Sequence, residues 1–312
     1  MNVLSLFDGM SCGQIALNRA GIKYDNYFAS EIDKYAIKVA QHNYPSTVQL
    51  GDVTKIKKES LPKIDLLIGG SPCQGFSLAG KQLNFDDPRS KLFFEYLRLK
   101  KELNPKYFLL ENVKMKKEWV ETINDLLGVQ GKFVNSALVS AQNRPRWYWT
   151  NIPFETPGDL GVKLVDILEQ NPSEDYFVKS GRLKWLQNFG ELKEKDGYVA
   201  FNPTKAKCLT VRGEPSWNTT YILQWPRGYN PGEIKGEDGK TPSLTTSSWP
   251  ANNLLLQDGM VRKLTPIECE RLQTVPDNYT SSVSDTQRYK MLGNGWTVDV
   301  IAHIFKGLKE NK

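Results

Sequence analysis

The residues best equipped for covalent chemistry lie in Gly69-Gly70-Ser71-Pro72-Cys73-Gln74-Gly75-Phe76-Ser77, where a proline and several glycines hold one cysteine. A cysteine kept only for packing more often sits in an apolar run as a small hydrophobe. Two further segments supply partners: Glu111 in Leu109-Leu110-Glu111-Asn112-Val113, and Arg144 and Arg146 in Gln142-Asn143-Arg144-Pro145-Arg146. A thiol becomes a nucleophile as its thiolate, which a nearby positive charge favours. Other chemistries are poorly supplied. His42 and His303 are the only histidines, and the cysteines at 12, 73, 208 and 269 are too scattered for zinc or redox pairs. Neither a metal nor a disulfide is expected.

The elements that must position these groups read as an alternation of β-prone apolar runs and amphipathic stretches through residues 1–152, the pattern of a parallel sheet with crossover helices. Strands are expected at 3–7, 27–31, 47–50, 64–68, 107–110, 133–139 and 146–152. Helices are expected at 13–20, closed by Gly21, and at 33–43, capped by Asp33. The fold class is therefore α/β, a doubly wound and mostly parallel sheet. Cys73 follows the fourth strand, Glu111 ends the fifth and the arginine pair follows the sixth, so all three are expected at the carboxyl edge where such sheets bind ligands.

That edge also has a nucleotide-like end. Phe7-Asp8-Gly9-Met10-Ser11-Cys12-Gly13 joins the first strand to the first helix, Glu31 follows the second strand, and Asp52 follows the third. A carboxylate after the second strand suits ribose hydroxyls, and one after the third could accept from an adenine amino group. Ser11 stands where a dinucleotide fingerprint has its second glycine, which favours an adenosyl ligand without phosphates.

From Pro153 to about Pro250 the character shifts: nine of the seventeen prolines fall there and helical periodicity fades. Two similar phrases, Lys207-Cys208-Leu209-Thr210 and Pro242-Ser243-Leu244-Thr245, are each followed by a tryptophan. Helical grammar returns at Thr265-Pro266 with Glu268 at capping-box spacing, and a last helix follows Gly293-Asn294-Gly295. The expected organisation is a large domain at 1–155, an inserted loop- and β-rich domain at 156–260, and a return to the large domain at 261–312. A formal charge of +6 suits a polyanionic partner. Seven Lys or Arg between Arg98 and Lys117 suit phosphate contacts. No apolar run approaches the ~20 residues of a membrane span, and the start lacks a secretory pattern, so a cytoplasmic protein is expected.

Taken in order, these segments resemble the cytosine-C5 DNA methyltransferase family over nearly the whole chain. Its Phe-x-Gly loop is similar to Phe7 to Gly9, its Pro-Cys-Gln to Pro72 to Gln74, its Glu-Asn-Val to Glu111 to Val113 and its Gln-x-Arg-x-Arg to Gln142 to Arg146. Its Arg-x-Leu-Thr-x-x-Glu-x-x-Arg-Leu-Gln resembles Arg262 to Gln273, and its closing Gly-Asn resembles Gly293-Asn294. Ser11-Cys12 departs from the paired glycines of many members. Trp296 and the Arg-Trp-Tyr-Trp-Thr-Asn run at 146–151 are similar to the animal de novo branch.

The resemblance implies a class I S-adenosylmethionine-dependent fold with an inserted target recognition domain. It implies methyl transfer to C5 of a flipped cytosine through a Cys73–C6 adduct, leaving S-adenosylhomocysteine. Glu111, Arg144 and Arg146 join Cys73 as catalytic residues. Phe7, Asp8, Gly9, Ser11, Gly13, Glu31, Ile32, Asp52, Val53, Pro72, Asn294, Gly295 and Trp296 are expected around the cofactor, and Gln74, Ser77, Gln142 and Arg146 on DNA. Double-stranded DNA is the expected partner of a monomeric enzyme, with room for a cognate restriction enzyme and no membrane or metal partner. Two other readings differ in substrate or activity: a transfer RNA methyltransferase with the same catalytic motifs, whose Cys-Phe-Thr signature Cys208-Leu209-Thr210 faintly resembles, and an inactive DNA-binding homologue, which should lack the reacting groups.

Overall fold

The computed structural model of the chain describes residues 1–71, 91–177, 221–224, 233–236, 241–242, 254–257 and 260–309. Five strands run parallel: β1 (Asn2–Leu6), β2 (Asn26–Ser30), β3 (Val48–Gln49), β4 (Leu66–Gly69) and β5 (Tyr107–Val113). Helices α1 (Cys12–Ala20), α2 (Lys34–Asn43) and α3 (Lys91–Leu103) fall between them, and α4 (Lys117–Leu127) leads on to β6 (Lys132–Asn135), β7 (Gln142–Asn143) and β8 (Pro145–Thr150). The main sheet has seven strands in the order β3-β2-β1-β4-β5-β8-β6. Winding proceeds outward from β1 to β3, then restarts on the other side of β1 at β4. The crevice at that reversal is where open α/β sheets place a ligand.

Near-continuous apolar runs make these strands because both faces are covered. Side chains alternate between the two faces along each strand: Val3, Leu66, Ile68 and Leu109 enter the core beneath α1, while Leu4, Leu6, Leu67, Phe108 and Leu110 enter the one beneath α3 and α4. Asp33 caps α2 by accepting from the Tyr35 and Ala36 amides, and Gly21 closes α1 in the left-handed region.

Two strands differ from the sequence pattern. The sixth ends at Asn135, whose side chain accepts from the Ala137 amide and turns Ser136–Leu138 into a single 3-10 turn. β8 runs antiparallel to β5, pairing Val113 with Arg146 and Glu111 with Tyr148. Arg146 therefore reaches the carboxyl edge from the start of its strand rather than after the end of the preceding one.

Beyond residue 220 the described strands β9 (Tyr221–Gln224), β10 (Glu233–Gly236), β12 (Leu254–Gln257) and β13 (Met260–Lys263) form an antiparallel sheet, and β11 (Thr241–Pro242) pairs with β7. The phrase at 207–217 and residues 243–249 of its echo lie outside the described residues. Helices α5 (Pro266–Leu272), α6 (Asp285–Asn294) and α7 (Val298–Lys306) follow, and α7 packs on α1. No helix among the described residues is long and apolar enough to cross a membrane.

The segment entering α5 is fixed by a fully buried ion pair. Arg262 donates to both oxygens of Glu268, at 2.8 and 2.7 Å, while Glu268 also accepts from the Thr265 and Glu169 amides. Removing one partner of such a pair leaves a buried charge uncompensated. Arg262→Met is expected to lower the unfolding free energy by roughly 3–5 kcal/mol in urea titration; a loss under ~1 kcal/mol would show that the pair is not integral to this segment.

Candidate active site

Backbone geometry at the end of β1 explains the residues found there. Phe7, Gly9 and Ser11 all have positive φ, at 58°, 59° and 68°. Serine is strained in this region, yet its hydroxyl donates to Asp8 Oδ2 at 2.6 Å and accepts from Gln14 Nε2 at 2.9 Å. Tyr27 donates to the other Asp8 oxygen at 2.7 Å. These bonds hold a residue with a side chain where glycine would be free of strain. Gly13 is required by packing, since a Cβ there would lie 2.5 Å from Ile68 Cδ1 and 2.6 Å from the Tyr27 hydroxyl. Both residues face inward and neither lines the ligand cavity, in contrast to their expected contact with a cofactor.

The cavity, of about 420 Å³, runs along the carboxyl edge. Phe7, Asp8, Gly9, Glu31, Ile32, Asp52, Val53, Asn294, Gly295 and Trp296 all line it, as do Glu111, Arg144 and Arg146. Glu31 organises the nucleotide-like end: Oε2 accepts from the Gly9 amide and Oε1 from the Ile32 and Asp33 amides, each at 2.8 Å. Ile32, 78% exposed, offers an apolar face beside it. Asp52 Oδ1 accepts from the Thr54 amide and hydroxyl, which keeps its carboxyl below the usual range.

This donor and acceptor set suits an adenosyl sulfonium. Asp8, Glu31, Asp33, Asp52 and Glu111 give the wall an excess of carboxylates, which disfavours phosphates and favours hydroxyl, amino and cationic groups. Glu31 and Asp52 would hold the ribose and adenine, with Phe7 and Ile32 against the ring.

At the other end, Arg146 Nε lies 2.9 Å from Glu111 Oε1. The neighbouring Gly70 allows this arrangement: a Cβ there would lie 2.8 Å from Trp296 Nε1 and 3.0 Å from Glu111 Oε2. Asn112 donates to the Ser71 hydroxyl at 3.1 Å, fixing the backbone at the last described residue before the Pro-Cys-Gln segment. Pro72, Cys73, Gln74 and Ser77 lie outside the described residues. Arg144 serves a different purpose from Arg146. It is buried and donates to the Gly293 and Gly295 carbonyls at 3.1 and 2.9 Å, clamping the loop that carries Trp296. Burial and the neighbouring Arg146 depress its pKa from the usual guanidinium range.

Gln142, expected on DNA, is instead fully buried. Its amide donates to the Leu272 carbonyl and Gln273 Oε1, tying the β7 region to the end of α5. The basic run is also partly internal: Arg98 bonds to Glu95 and Glu102, and Lys100 lies over Phe108 while donating to the Leu127 carbonyl. Lys114 and Lys116 are exposed. The described cysteines are poor nucleophiles, since burial pushes the Cys12 thiol up to about 12 and holds that of Cys269 well above its ordinary value.

Sequence reading found only Asn294 of the wall contributed by α6 and missed Gln287, Lys290 and Met291. Gln287, Lys290, Met291 and Asn294 line the cavity at i, i+3, i+4 and i+7, a helical stripe leading into Gly293-Asn294 that could have been read as one face.

Known proteins match the chain along nearly its whole length. The family model described as C-5 cytosine-specific DNA methylase matches residues 1–310. The Type II methyltransferase M1.ScrFI of Lactococcus lactis subsp. cremoris is 32% identical over 334 residues, covering 99% of this chain and 78% of that protein. The Type II methyltransferase M.NlaX of Neisseria lactamica is 30% identical, covering 98% and 96%. The solved structure of the Entamoeba histolytica methyltransferase EhMeth shares the fold at TM-score 0.66 and 20% identity, covering 100% of this chain and 98% of that one.

Asp8 gives the site a measurable pH signature. Desolvation raises its pKa from 3.8 to about 6, against the lowering effect of the hydrogen bonds from Ser11, Ser5 and Tyr27. A raised carboxyl pKa means that the native state binds the proton more tightly. The resulting stability is fully present below the unfolded value and lost as pH rises through the folded one. Relative to Asp8→Asn, the wild type should lose about 3 kcal/mol of unfolding free energy between roughly pH 3.5 and 6.5, as two pKa units imply. A difference that stays constant across that window in urea titrations would contradict the assignment.

Proposed function

Because the chain belongs to the C-5 cytosine-specific DNA methylase family, it transfers a methyl group to C5 of cytosine in DNA, and we propose that Cys73, Glu111 and Arg146 perform the transfer with S-adenosylmethionine as donor. The observation that carries the assignment is the Arg146–Glu111 pair at the carboxyl edge, beside Gly70 and next to the carboxylate-lined cavity.

Cytosine C5 is a poor nucleophile on its own. Addition of the Cys73 thiolate to C6 pushes electrons through the ring toward N3 and makes C5 enamine-like. Glu111 hands a proton or hydrogen bond to N3, offsetting the charge that develops there. Arg146 engages Oε1, which leaves Oε2 for the base edge and fixes the carboxyl's orientation. When bound, the donor supplies an electrophilic methyl on sulfur, which C5 attacks, leaving S-adenosylhomocysteine. The C5 proton then passes to a solvent base, the N3 proton returns to Glu111, and Cys73 leaves C6 as the thiolate, which restores the aromatic ring and both residues.

Arg144 acts through position rather than contact, by holding the 293–295 carbonyls that set Trp296 against Gly70 and Glu111. Phe7, Asp8, Gly9, Glu31, Ile32, Asp52, Val53, Asn294, Gly295 and Trp296 form the donor pocket, with Pro72 assigned to it by motif. The target base is hidden in a duplex and must be flipped out, at a cost of a few kcal/mol that Gln74 and Ser77 are assigned to offset as DNA contacts. Residues 1–155 and 261–312 are assigned to the catalytic domain and 156–260 to target recognition, supported by the seating of α7 on α1. Type II names among the relatives fit a modification role beside a restriction enzyme, and the orphan names of the Bacillus phage relatives fit a methyltransferase without one.

Cys73→Ser is expected to abolish methyl transfer from labelled donor to duplex DNA while retaining DNA and donor binding; undiminished transfer would refute the nucleophile. Glu111→Gln should lower kcat by roughly 10²–10⁴-fold with little change in donor affinity, measured by single-turnover kinetics. A kcat within a few-fold of wild type would remove Glu111 from the proton path.

A further inference from the structure

One wall of the cavity is closed by an interaction that the chemistry above does not use. Lys290 Nζ on α6 donates to Asp33 Oδ2 at the N-cap of α2, 2.6 Å away and 257 residues distant in sequence. Both residues line the cavity. Asp33 is fully engaged: Oδ1 caps α2 through the Tyr35 and Ala36 amides, its own amide donates to Glu31 Oε1, and Oδ2 takes the lysine. The adjacent residues are Glu31, which organises the nucleotide-like end, and Ile32 with its exposed apolar face. On the other side, Lys290 belongs to the helix that ends in Gly293-Asn294 and leads into Gly295, and Arg144 holds the Gly293 and Gly295 carbonyls.

We propose that the Lys290–Asp33 ion pair is a clasp across the donor pocket, which positions the Glu31–Ile32 turn against the α6 wall and thereby sets affinity for the adenosyl end of the donor. Lys290 is a positioning residue in this role, and the inference rests on the cavity being the S-adenosylmethionine site. The pair is half-exposed, 50% at the lysine and 29% at the aspartate, so its effect is modest and sensitive to salt. The reaction centre at Glu111 and Arg146 is held by separate bonds, and loss of the clasp acts on donor binding rather than on the chemical step.

The test uses the full-length protein with S-adenosylhomocysteine as the calorimetric probe and S-adenosylmethionine plus duplex DNA for kinetics. Lys290→Met is expected to raise the probe Kd and the donor KM together, by roughly two- to fivefold at low salt, with kcat at saturating donor within twofold of wild type. Lys290→Arg should restore most of the affinity. Asp33→Asn, which keeps an oxygen for the helix cap, should weaken binding similarly, and the double variant should be no weaker than the worse single one. In wild type, ~1 M salt should erase most of the advantage over Lys290→Met. Equal probe affinity in wild type and Lys290→Met, or strictly additive effects in the double variant, would overturn the clasp. Failure of the wild type to bind the probe would instead overturn the donor assignment of the cavity.

Discussion

Glu111 and Arg146 stand on neighbouring strands that run in opposite directions, and the 2.9 Å contact between them depends on that reversal. In a wholly parallel sheet, the residues that start a strand lie at the amino edge, far from the ligand crevice. Because β8 is antiparallel, its first residues arrive where β5 ends, and a guanidinium meets a carboxylate that the fifth strand has already placed. The pair must also coexist with Trp296, which crowds the same corner. Gly70 resolves this by contributing no Cβ, so strand β4 can end under both side chains.

The rest of the catalytic edge follows from how far-apart segments are pinned to that corner. Arg144 and Gln142, only two residues apart, point into the protein and hold the carboxyl-terminal part of the chain, the first through the 293–295 carbonyls and the second through Leu272 and Gln273. Gln273 in turn donates to the Leu292 carbonyl and accepts from Thr297. The short stretch from β7 into β8 thus supplies one side chain to the site and two to the frame that carries the pocket's far wall. At the opposite end, the buried set of Asp8, Ser11, Gln14 and Tyr27 stiffens the β1–α1 turn from below, where a left-handed serine would otherwise relax.

Much of this was legible in the sequence because it follows local rules. Strand ends marked by Gly9, Glu31, Asp52 and Glu111, the Asp33 cap and the Thr265 to Glu268 capping box depend on a few neighbouring residues, and the structure shows each in place. What stayed hidden depends on direction and depth. Polar residues inside a motif, such as Ser11 and Gln142, look from sequence like ligand contacts; the inward orientation of Gln142 is decided by a partner 130 residues away. The reversal of β8 is equally silent, since a β-prone run carries no sign of its direction. The contact between Lys290 and Asp33 was missed for the same reason, since in the sequence Asp33 reads only as the cap of its own helix.

The central claim is that Cys73 forms a bond to C6 of the target base before the methyl is delivered. A duplex carrying 5-fluorocytosine at the target tests this directly, because methyl transfer can proceed while fluorine cannot leave as the C5 proton does, so the thioether at C6 persists. After incubation with such DNA and S-adenosylmethionine, peptide mass spectrometry should find the methylated fluoropyrimidine attached to Cys73. Attachment to another residue, or absence of any adduct from a protein that methylates the unfluorinated duplex, would contradict the account.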